Sequence, residues 1–531
     1  MKKRLFDFLR FIIYLLSLIL TFVYIFYRII FTIPFNYGIV NLTLGIIVLT
    51  FEFFDAIDFC LYYFNVLRVK NISVSVPKIK RKTYPDVDVL IATINEDIDL
   101  VSGTVIACLN MKYPSKSKVH IYLCDDGNRS EMRDLALKYN IGYISRNNNL
   151  NAKAGNYNNA LRKTRSPFIA TFDADMKPSP YFLLKTIPFF VKYDDIGFVQ
   201  TPQSFDNPDI FQLRYGVYNS IPFEQNYFYH KIQSAKCCNN SLIYCGTNAV
   251  LSRKALNDIG GFAVNTITED FATGMLIESK NYRSIYLDIV LASGLNVYDL
   301  SSFLRQRSRW SRGCIQVLKN YKIFCNKGLN FRQKIDYISA IFYWFYGFKR
   351  FFYLIIPLLF SLFGIMIIDC DLKLFCVLFF SQYLLKRIAI DLFEGRSRSS
   401  TWNKIYELIL APSVCVSILR ELFIKEERKF DVTPKVKPVK KSGFDYSLFL
   451  YHLFLFLLCL LGIILSIYKS TVLGFNVYLI SLIWLIINLI YLFIVLVFDI
   501  NFKKIEYSDF VCSNKYKLKS IFMIFLNFFK R

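Results

Sequence analysis

The chain has 531 residues, 54% of them hydrophobic and 18% aromatic, with a mean hydropathy of +0.35 and a formal net charge of +25. Soluble domains sit at about 45–50% apolar, so the excess excludes an ordinary soluble protein. The charge does not argue for nucleic acid either. Many cations crowd beside apolar stretches, with Lys2, Lys3, Arg4 and Arg10 at one end and Lys515, Lys517, Lys519, Lys530 and Arg531 at the other. Such flanks hold segments on the cytoplasmic side of a membrane, and no nucleic-acid partner is expected.

The apolar excess concentrates at residues 9–63, 341–393 and 445–500. A spanning helix needs about 20 apolar residues. In chain order, the first two expected spans are 11–31 and 38–63, the second carrying Glu52, Asp55 and Asp58. The first is too long for a cleaved leader and lacks a small-residue cleavage site. Residues 70–335 then have ordinary soluble composition and alternate two patterns. Residues 87–94, 119–126, 167–175 and 196–202 read as buried strands, while 98–111, 130–139 and 151–164 read as helices. This alternation predicts a mostly parallel sheet with helices on both faces and the ligand at the carboxyl ends of the strands. Spans at 350–369 and 373–392 follow. The stretch 401–423 mixes charges into an apolar face around Pro412 and is expected to lie at the membrane interface, as is 517–531. Two more spans, 445–467 and 473–499, bring the expected total to six. With six, both termini lie on the side of the soluble block. The positive-inside rule places that side in the cytoplasm.

The 13 cysteines form no CxxC pair; Cys237 and Cys238 are adjacent and the rest are scattered, as expected of reduced cytosolic thiols. His120, His230 and His452 are far apart, so a histidine-based metal site is not expected.

The acids at the strand ends carry the chemical reading. Asp125 and Asp126 precede Gly127, Asp173 and Asp175 flank Ala174, and Glu269 and Asp270 follow Thr268. Gln306, Arg309 and Trp310 stand on an expected helix. Taken singly, each has a structural explanation: acids before glycine cap turns, Thr-Glu-Asp opens helices, and Arg-Trp pairs stack. Together they suit a sugar-nucleotide site. A diphosphate leaving group is neutralised by a divalent cation, which wants carboxylate oxygens. Asp173 and Asp175, at i and i+2 of a strand end, would offer them on one side. An attacking hydroxyl needs a base, for which Asp270 is the candidate. Arg309 could meet the departing charge with its planar fork, and Trp310 offers an apolar face to a sugar ring.

The order DDG (125–127), DAD (173–175), TED (268–270) and QRSRW (306–310) resembles the D, DxD, TED, QxxRW pattern of processive family-2 glycosyltransferases. ATINED (92–97), NAKAGNYNNAL (151–161), VQTPQSFDNPD (199–209), YCGTNAVLSRKAL (244–256) and above all KFDVTPK (429–435) bring it closest to bacterial cellulose synthase catalytic subunits, whose gating loop reads FxVTxK. The resemblance runs over roughly 85–440. It implies a membrane α-helical bundle of six spans with an inserted cytosolic α/β GT-A-like domain. The division would be 1–68 (two spans), 69–335 (transferase domain), 336–395 (two spans), 396–442 (interfacial helix and gating loop), 443–500 (two spans) and 501–531 (basic tail).

The resemblance also implies roles. Thr93, Glu96, Asp125, Lys153, Asp173 and Arg309 would bind the nucleotide, and Asp173 and Asp175 would hold Mg²⁺ or Mn²⁺. Asp270, with Glu269 and Thr268, would be catalytic. Cys245, Gly246, Thr247, Gln306 and Trp310 would bind the acceptor, and Phe430, Val432, Thr433 and Lys435 would close over the nucleotide. The implied activity is processive, inverting synthesis and translocation of a β-1,4-glucan from UDP-glucose at the plasma membrane. A synthase of another β-glucan or capsular polysaccharide, such as a β-1,3-linked one, is the alternative. Expected partners are UDP-glucose, the growing glucan, membrane lipid and an extracytoplasmic accessory subunit. Residues 425–441 hold seven Lys/Arg and three acids, hence net +4, and a basic loop near a diphosphate can order around it. About thirty residues follow the last expected span. Cyclic-dinucleotide control, which relatives often place there, would, if any, act through another chain. Arg305, Ser308 and Ser311 depart from the usual surroundings of QxxRW and leave acceptor preference open.

Overall fold

The computed structural model describes residues 2–69, 75–215, 221–297, 299–394, 400–424 and 445–500. The expected gating residues Phe430, Val432, Thr433 and Lys435 and the 501–531 tail lie outside the described residues.

Ten strands are described: β1 (Val87–Thr93), β2 (Val119–Asp125), β3 (Gly142–Ser145), β4 (Phe168–Asp173), β5 (Lys177–Pro178), β6 (Ile196–Gln200), β7 (Ser204–Phe205), β8 (Ala249–Ser252), β9 (Arg283–Tyr286) and β10 (Ala292–Gly294). Seven form one sheet in the order β3-β2-β1-β4-β8-β6-β9, and β5-β10-β7 form a small second one. β1 to β4 run parallel, and β8 is antiparallel to both β4 and β6. The four expected strands are all present, each ending one or two residues early. β3, β8 and β9 join them, each only 4 residues long and too short for a strand pattern to stand out.

The helices are α1 (Lys2–Phe31), α2 (Ile39–Val69), α3 (Ile98–Leu109), α4 (Ser130–Lys138), α5 (Ala152–Lys163), α6 (Phe182–Lys192), α7 (Ile210–Tyr215), α8 (Gln233–Cys237), α9 (Arg253–Asp258), α10 (Glu269–Ser279), α11 (Leu300–Tyr321), α12 (Phe331–Phe342), α13 (Tyr346–Phe363), α14 (Leu372–Glu394), α15 (Ser400–Phe423), α16 (Tyr446–Leu473) and α17 (Phe475–Ile500). Alternation along β1 decides which of them cover which face. Val89 and Ile91 point to a core shared with Val105 of α3, Met132 of α4 and Leu183 of α6. Leu90 points the other way, to Tyr157 of α5, Leu256 of α9 and Ile277 of α10. The chain therefore carries a GT-A-like α/β domain with helices on both faces of its sheet.

Among the described residues, four stretches are long and apolar enough to cross a membrane: Phe8–Phe31, Phe331–Phe363, Tyr446–Val472 and Val477–Ile500. The expected spans at 38–63 and 373–392 are helical as well, within α2 and α14. Both carry charges that find partners on neighbouring helices, Lys386 of α14 donating to the Asp55 backbone oxygen at 3.5 Å. Glu52 of α2 accepts from Arg28 Nε at 2.8 Å, and Asp55 of α2 from Lys349 Nζ at 2.7 Å. Residues 401–423, expected at the interface, form α15, which runs through Pro412 and packs along α11 and α13. Its Ile405, Ile409, Val414 and Ile418 are buried, while Val416, Leu419 and Leu422 stay exposed. One large apolar cluster runs from Phe211 and Phe303 in the soluble block through Tyr406 to Phe498, so the sheet domain and the helices share a core.

Candidate active site

Register brings the strand ends together: Thr93 lies opposite Asp125, and Ala92 opposite Asp173. A cavity of about 1020 Å³ opens at this carboxyl edge. Its walls include Thr93, Glu96, Lys153, Asp173, Asp175, Cys245, Thr268, Glu269, Asp270, Gln306, Arg309 and Trp310. Beyond Trp310 they continue with Trp344 and Tyr346 to Asp55, Lys349 and Lys386, so the space extends among α2, α13 and α14.

At the β1 corner, a Glu96 carboxylate oxygen accepts from Thr93 Oγ1 at 2.7 Å and from the Ile94 backbone N–H at 2.8 Å. Asp125 is fully buried. Its oxygens accept from Gly127 N at 3.0 Å, Arg129 N at 2.7 Å and Tyr143 Oη at 3.1 Å. It braces the corner from behind, and the neighbouring Asp126 stands at the cavity wall, held by Arg146 at 2.6 and 2.7 Å. Gly127 is needed because a Cβ there would come within 2.3 Å of the Ile94 carbonyl oxygen.

Asp173 closes β4, but Ala174 and Asp175 lie in a turn in which Met176 N donates to Asp173 O at 3.0 Å. The expectation that strand pleat aligns the two carboxylates is therefore corrected: the turn brings both to the cavity. Asp173 N donates to Thr247 Oγ1 at 3.0 Å, which places the fully buried Thr247 behind the wall. Asp175 Oδ2 accepts from Leu295 N at 3.4 Å. Lys153, in the first turn of α5, donates to Asp173 Oδ1 at 2.5 Å and to Gly246 O at 2.9 Å. Burial works against its charge, but the Asp173 and Glu269 carboxylates outweigh it and hold its pKa well above the ordinary lysine value. Gly246 has φ +75°, and a Cβ there would lie 3.1 Å from Asp270 Oδ2 and 3.2 Å from Lys153 Nζ. Gly246 thus lets the backbone pass between acid and base.

Thr268 is the N-cap of α10, which places Glu269 and Asp270 in its first turn. Burial, then the Asp270 charge, pushes Glu269 up to about 7. Burial also raises Asp270, opposed by the Phe271 N–H, which donates to its Oδ1 at 2.8 Å, and by Lys153 and Arg309. Burial lowers Arg309, against the pull of Glu269, Asp270 and Asp173. Cys245 N donates to Gln200 Oε1 at 2.9 Å, and burial pushes the Cys245 thiol far up. Asp299 caps α11, accepting from Ser302 N at 2.8 Å, and that helix carries Gln306, Arg309 and Trp310 to the wall.

Among the described residues, no group of three or more His, Cys, Asp or Glu is arranged to hold a metal ion. Two carboxylates, Asp173 and Asp175, do reach the cavity, and a Mg²⁺-like ion that takes its other ligands from phosphate and water needs only one or two. The sequence did not single out Glu224 or Arg307, which also build the wall, or Arg146, which holds Asp126 there. No motif marks them, because each acts through a partner 20 to 83 positions away.

Two family models match the chain: Glycosyl transferase family 2 over residues 88–260 and Cellulose synthase over 257–405. A relative from Pseudomonas fluorescens, "Cellulose synthase catalytic subunit [UDP-forming]", is 34% identical over 386 residues, 73% of this chain and 52% of its own length. One of the same name from Xanthomonas axonopodis pv. citri is 32% identical over 435 residues, 82% of this chain and 60% of its own length. The chain thus spans between about half and three-fifths of the length of these relatives. Among solved structures, a mannosyltransferase from Pyrobaculum calidifontis aligns over 72% of this chain and 99% of its own at 16% identity, with a TM-score of 0.46. The two family models adjoin and between them take in every described motif, from the first strand-end acid to Trp310. The chain belongs to the family-2 glycosyltransferases of the cellulose synthase type.

Proposed function

We propose that this chain transfers glucose from UDP-glucose to the 4-hydroxyl of a growing β-1,4-glucan, inverting at the anomeric carbon and keeping hold of its product. The observation that carries the reading is one continuous cavity. It gathers the acids, Lys153, Arg309 and Trp310, then continues among the helices. Asp270 takes the proton of the acceptor hydroxyl as that oxygen bonds to C1 of glucose. The bond from C1 to the UDP oxygen breaks, and UDP leaves with the electron pair. Lys153 and Arg309 meet its charge, and burial makes both more effective. Thr93, Glu96 and Asp125 shape the uridine corner, while Cys245, Gly246, Thr247, Gln306 and Trp310 serve the acceptor. Asp173 and Asp175 would hold Mg²⁺ or Mn²⁺, which neutralises diphosphate charge when bound. Raised carboxyl pKa values at Glu269 and Asp270 suit proton transfer near neutrality.

The same reading takes α2 and α14 as the second and fourth of six spans. It places the sheet domain in the cytoplasm and assigns residues 429–435 to a gate over the nucleotide. The division at 68, 335, 395, 442 and 500 follows. A product held in a cavity that opens along the helices need not dissociate between additions.

The test is incorporation of labelled glucose from UDP-glucose by the purified protein in lipid, with Mg²⁺ or Mn²⁺. An endo-β-1,4-glucanase should then digest the product. Resistant polymer would move the linkage, for instance to β-1,3. Failure to incorporate glucose from UDP-glucose, with incorporation from another UDP-sugar, would overturn the substrate.

A further inference from the structure

Arg307 lies within QRSRW but is none of the three residues to which the family pattern gives a role. It is 3% exposed. Its guanidinium carbon sits 4.3 Å from the ring centroid of Phe303 and 4.3 Å from that of Trp310. These residues stand at i−4 and i+3 on α11, so the three share one helix face. Nη1 donates to Gln306 Oε1 at 2.7 Å, and Nη2 donates to Glu224 Oε2 at 2.5 Å. Glu224 is itself anchored, for its backbone N–H donates to Asp209 Oδ2 at 3.0 Å. Asp209 in turn accepts from Gln212 N at 2.8 Å in the first turn of α7. Glu224, Gln306, Arg307 and Trp310 all face the cavity.

We propose that Arg307, held by Glu224, is the positioning residue that fixes Trp310 and Gln306 as the wall receiving the terminal sugar of the acceptor. The inference rests on the transferase reading above and deepens it. A planar cation against one side of an indole sets the ring's tilt and leaves the opposite side for a sugar. With Gln306 Oε1 occupied by Arg307, the group Gln306 has to offer a sugar hydroxyl is its amide N–H₂. A lysine would keep the charge pair with Glu224 but lose the flat stack and the second donor. The nucleotide side draws on Lys153, Asp173, Asp175 and Arg309, none of which is among these partners of Arg307. Loss of the clamp therefore falls on acceptor affinity and polymer length.

The test compares full-length wild type with Arg307→Ala, Arg307→Lys and Glu224→Gln in lipid. UDP binding with Mn²⁺ is measured by calorimetry, and cellohexaose binding by tryptophan fluorescence; product length is read alongside. UDP affinity is expected to hold in every variant. Cellohexaose affinity should fall about tenfold in Arg307→Ala, by less in Arg307→Lys, and product should shorten. Should Arg307→Ala fail to fold, Arg307→Lys and Glu224→Gln carry the comparison. Unchanged cellohexaose affinity and product length in folded variants would overturn the clamp. So would a wild type that binds UDP but not cellohexaose. A wild type that binds neither would instead sink the transferase reading, and the clamp with it.

Discussion

At the scale of single residues, the two acids that open α10 are closest to the chemistry. Asp270→Asn should lower kcat by about 10²–10⁴-fold, the usual contribution of a positioned base, while UDP affinity stays near wild type. Equal polymer yield from this variant would remove Asp270 from the mechanism. The pair also predicts a pH profile. Glu269 is raised to about 7 and Asp270 is raised too, so the first proton taken up on acidification enters the pair near neutrality. Asp270, itself raised by burial, loses its base form as it takes up a proton in turn. The wild-type rate should therefore fall on acidification at a higher pH than an ordinary aspartate would give. In Glu269→Gln, Asp270 keeps the Asp173 charge but loses that of Glu269, and the acid limb should move to lower pH. A limb that stays in place would detach Glu269 from the titration. The identity of these residues was legible in the sequence, because acids at strand ends and Thr-Glu-Asp before an apolar helix are local patterns. Their surroundings were not. That Asp125 is consumed by Arg129 and Tyr143, while Asp126 takes the wall with Arg146, depends on side chains converging from three elements.

At the scale of elements, the site is assembled by contacts between helices that the chain order hides. α11 lies against the start of α10, and Gly313 is the contact point. A Cβ there would come within 2.4 Å of Thr268 Cγ2 and 2.5 Å of Thr268 Oγ1. Gly313→Ala must push the two helices apart and shift Arg309 and Trp310 relative to Asp270. The expected cost is about 1–3 kcal/mol of stability, as for other overpacked cores. Polymerisation should slow more than UDP binding weakens. Normal activity in a variant with an unchanged thermal midpoint would show that this contact does not set the site. The strand and helix pattern of the domain was readable because buried parallel strands are apolar runs and the helices between them carry their own period. The turn at Ala174 and Asp175 was not, because nothing local distinguishes a strand end from the turn that follows it. Nor was the packing of α15: an amphipathic stretch looks alike whether its apolar face meets lipid or α11.

At the scale of the whole molecule, the sheet domain is tied to the last helices by polar contacts as well as by the shared core. Arg214 Nη1 donates to Phe498 O at 3.3 Å, and Tyr215 Oη donates to Ile494 O at 3.0 Å. Nearby, His452 of α16 and Asp499 of α17 are fully buried and 2.7 Å apart. His452→Ala removes the group that Asp499 meets at 2.7 Å, which should cost about 1–3 kcal/mol and lower the thermal midpoint in detergent. An unchanged midpoint would mean that the pair does not hold α16 to α17. By itself, the sequence determined the composition-driven division into apolar and soluble parts, the alternating α/β pattern and the ordered acidic motifs, because each is a property of neighbours along the chain. Only the tertiary structure decided which motif side chains reach the cavity, how α15 packs, and that Arg307 and Glu224 stand together. Those outcomes depend on residues far apart in sequence filling one space, and no local pattern encodes that.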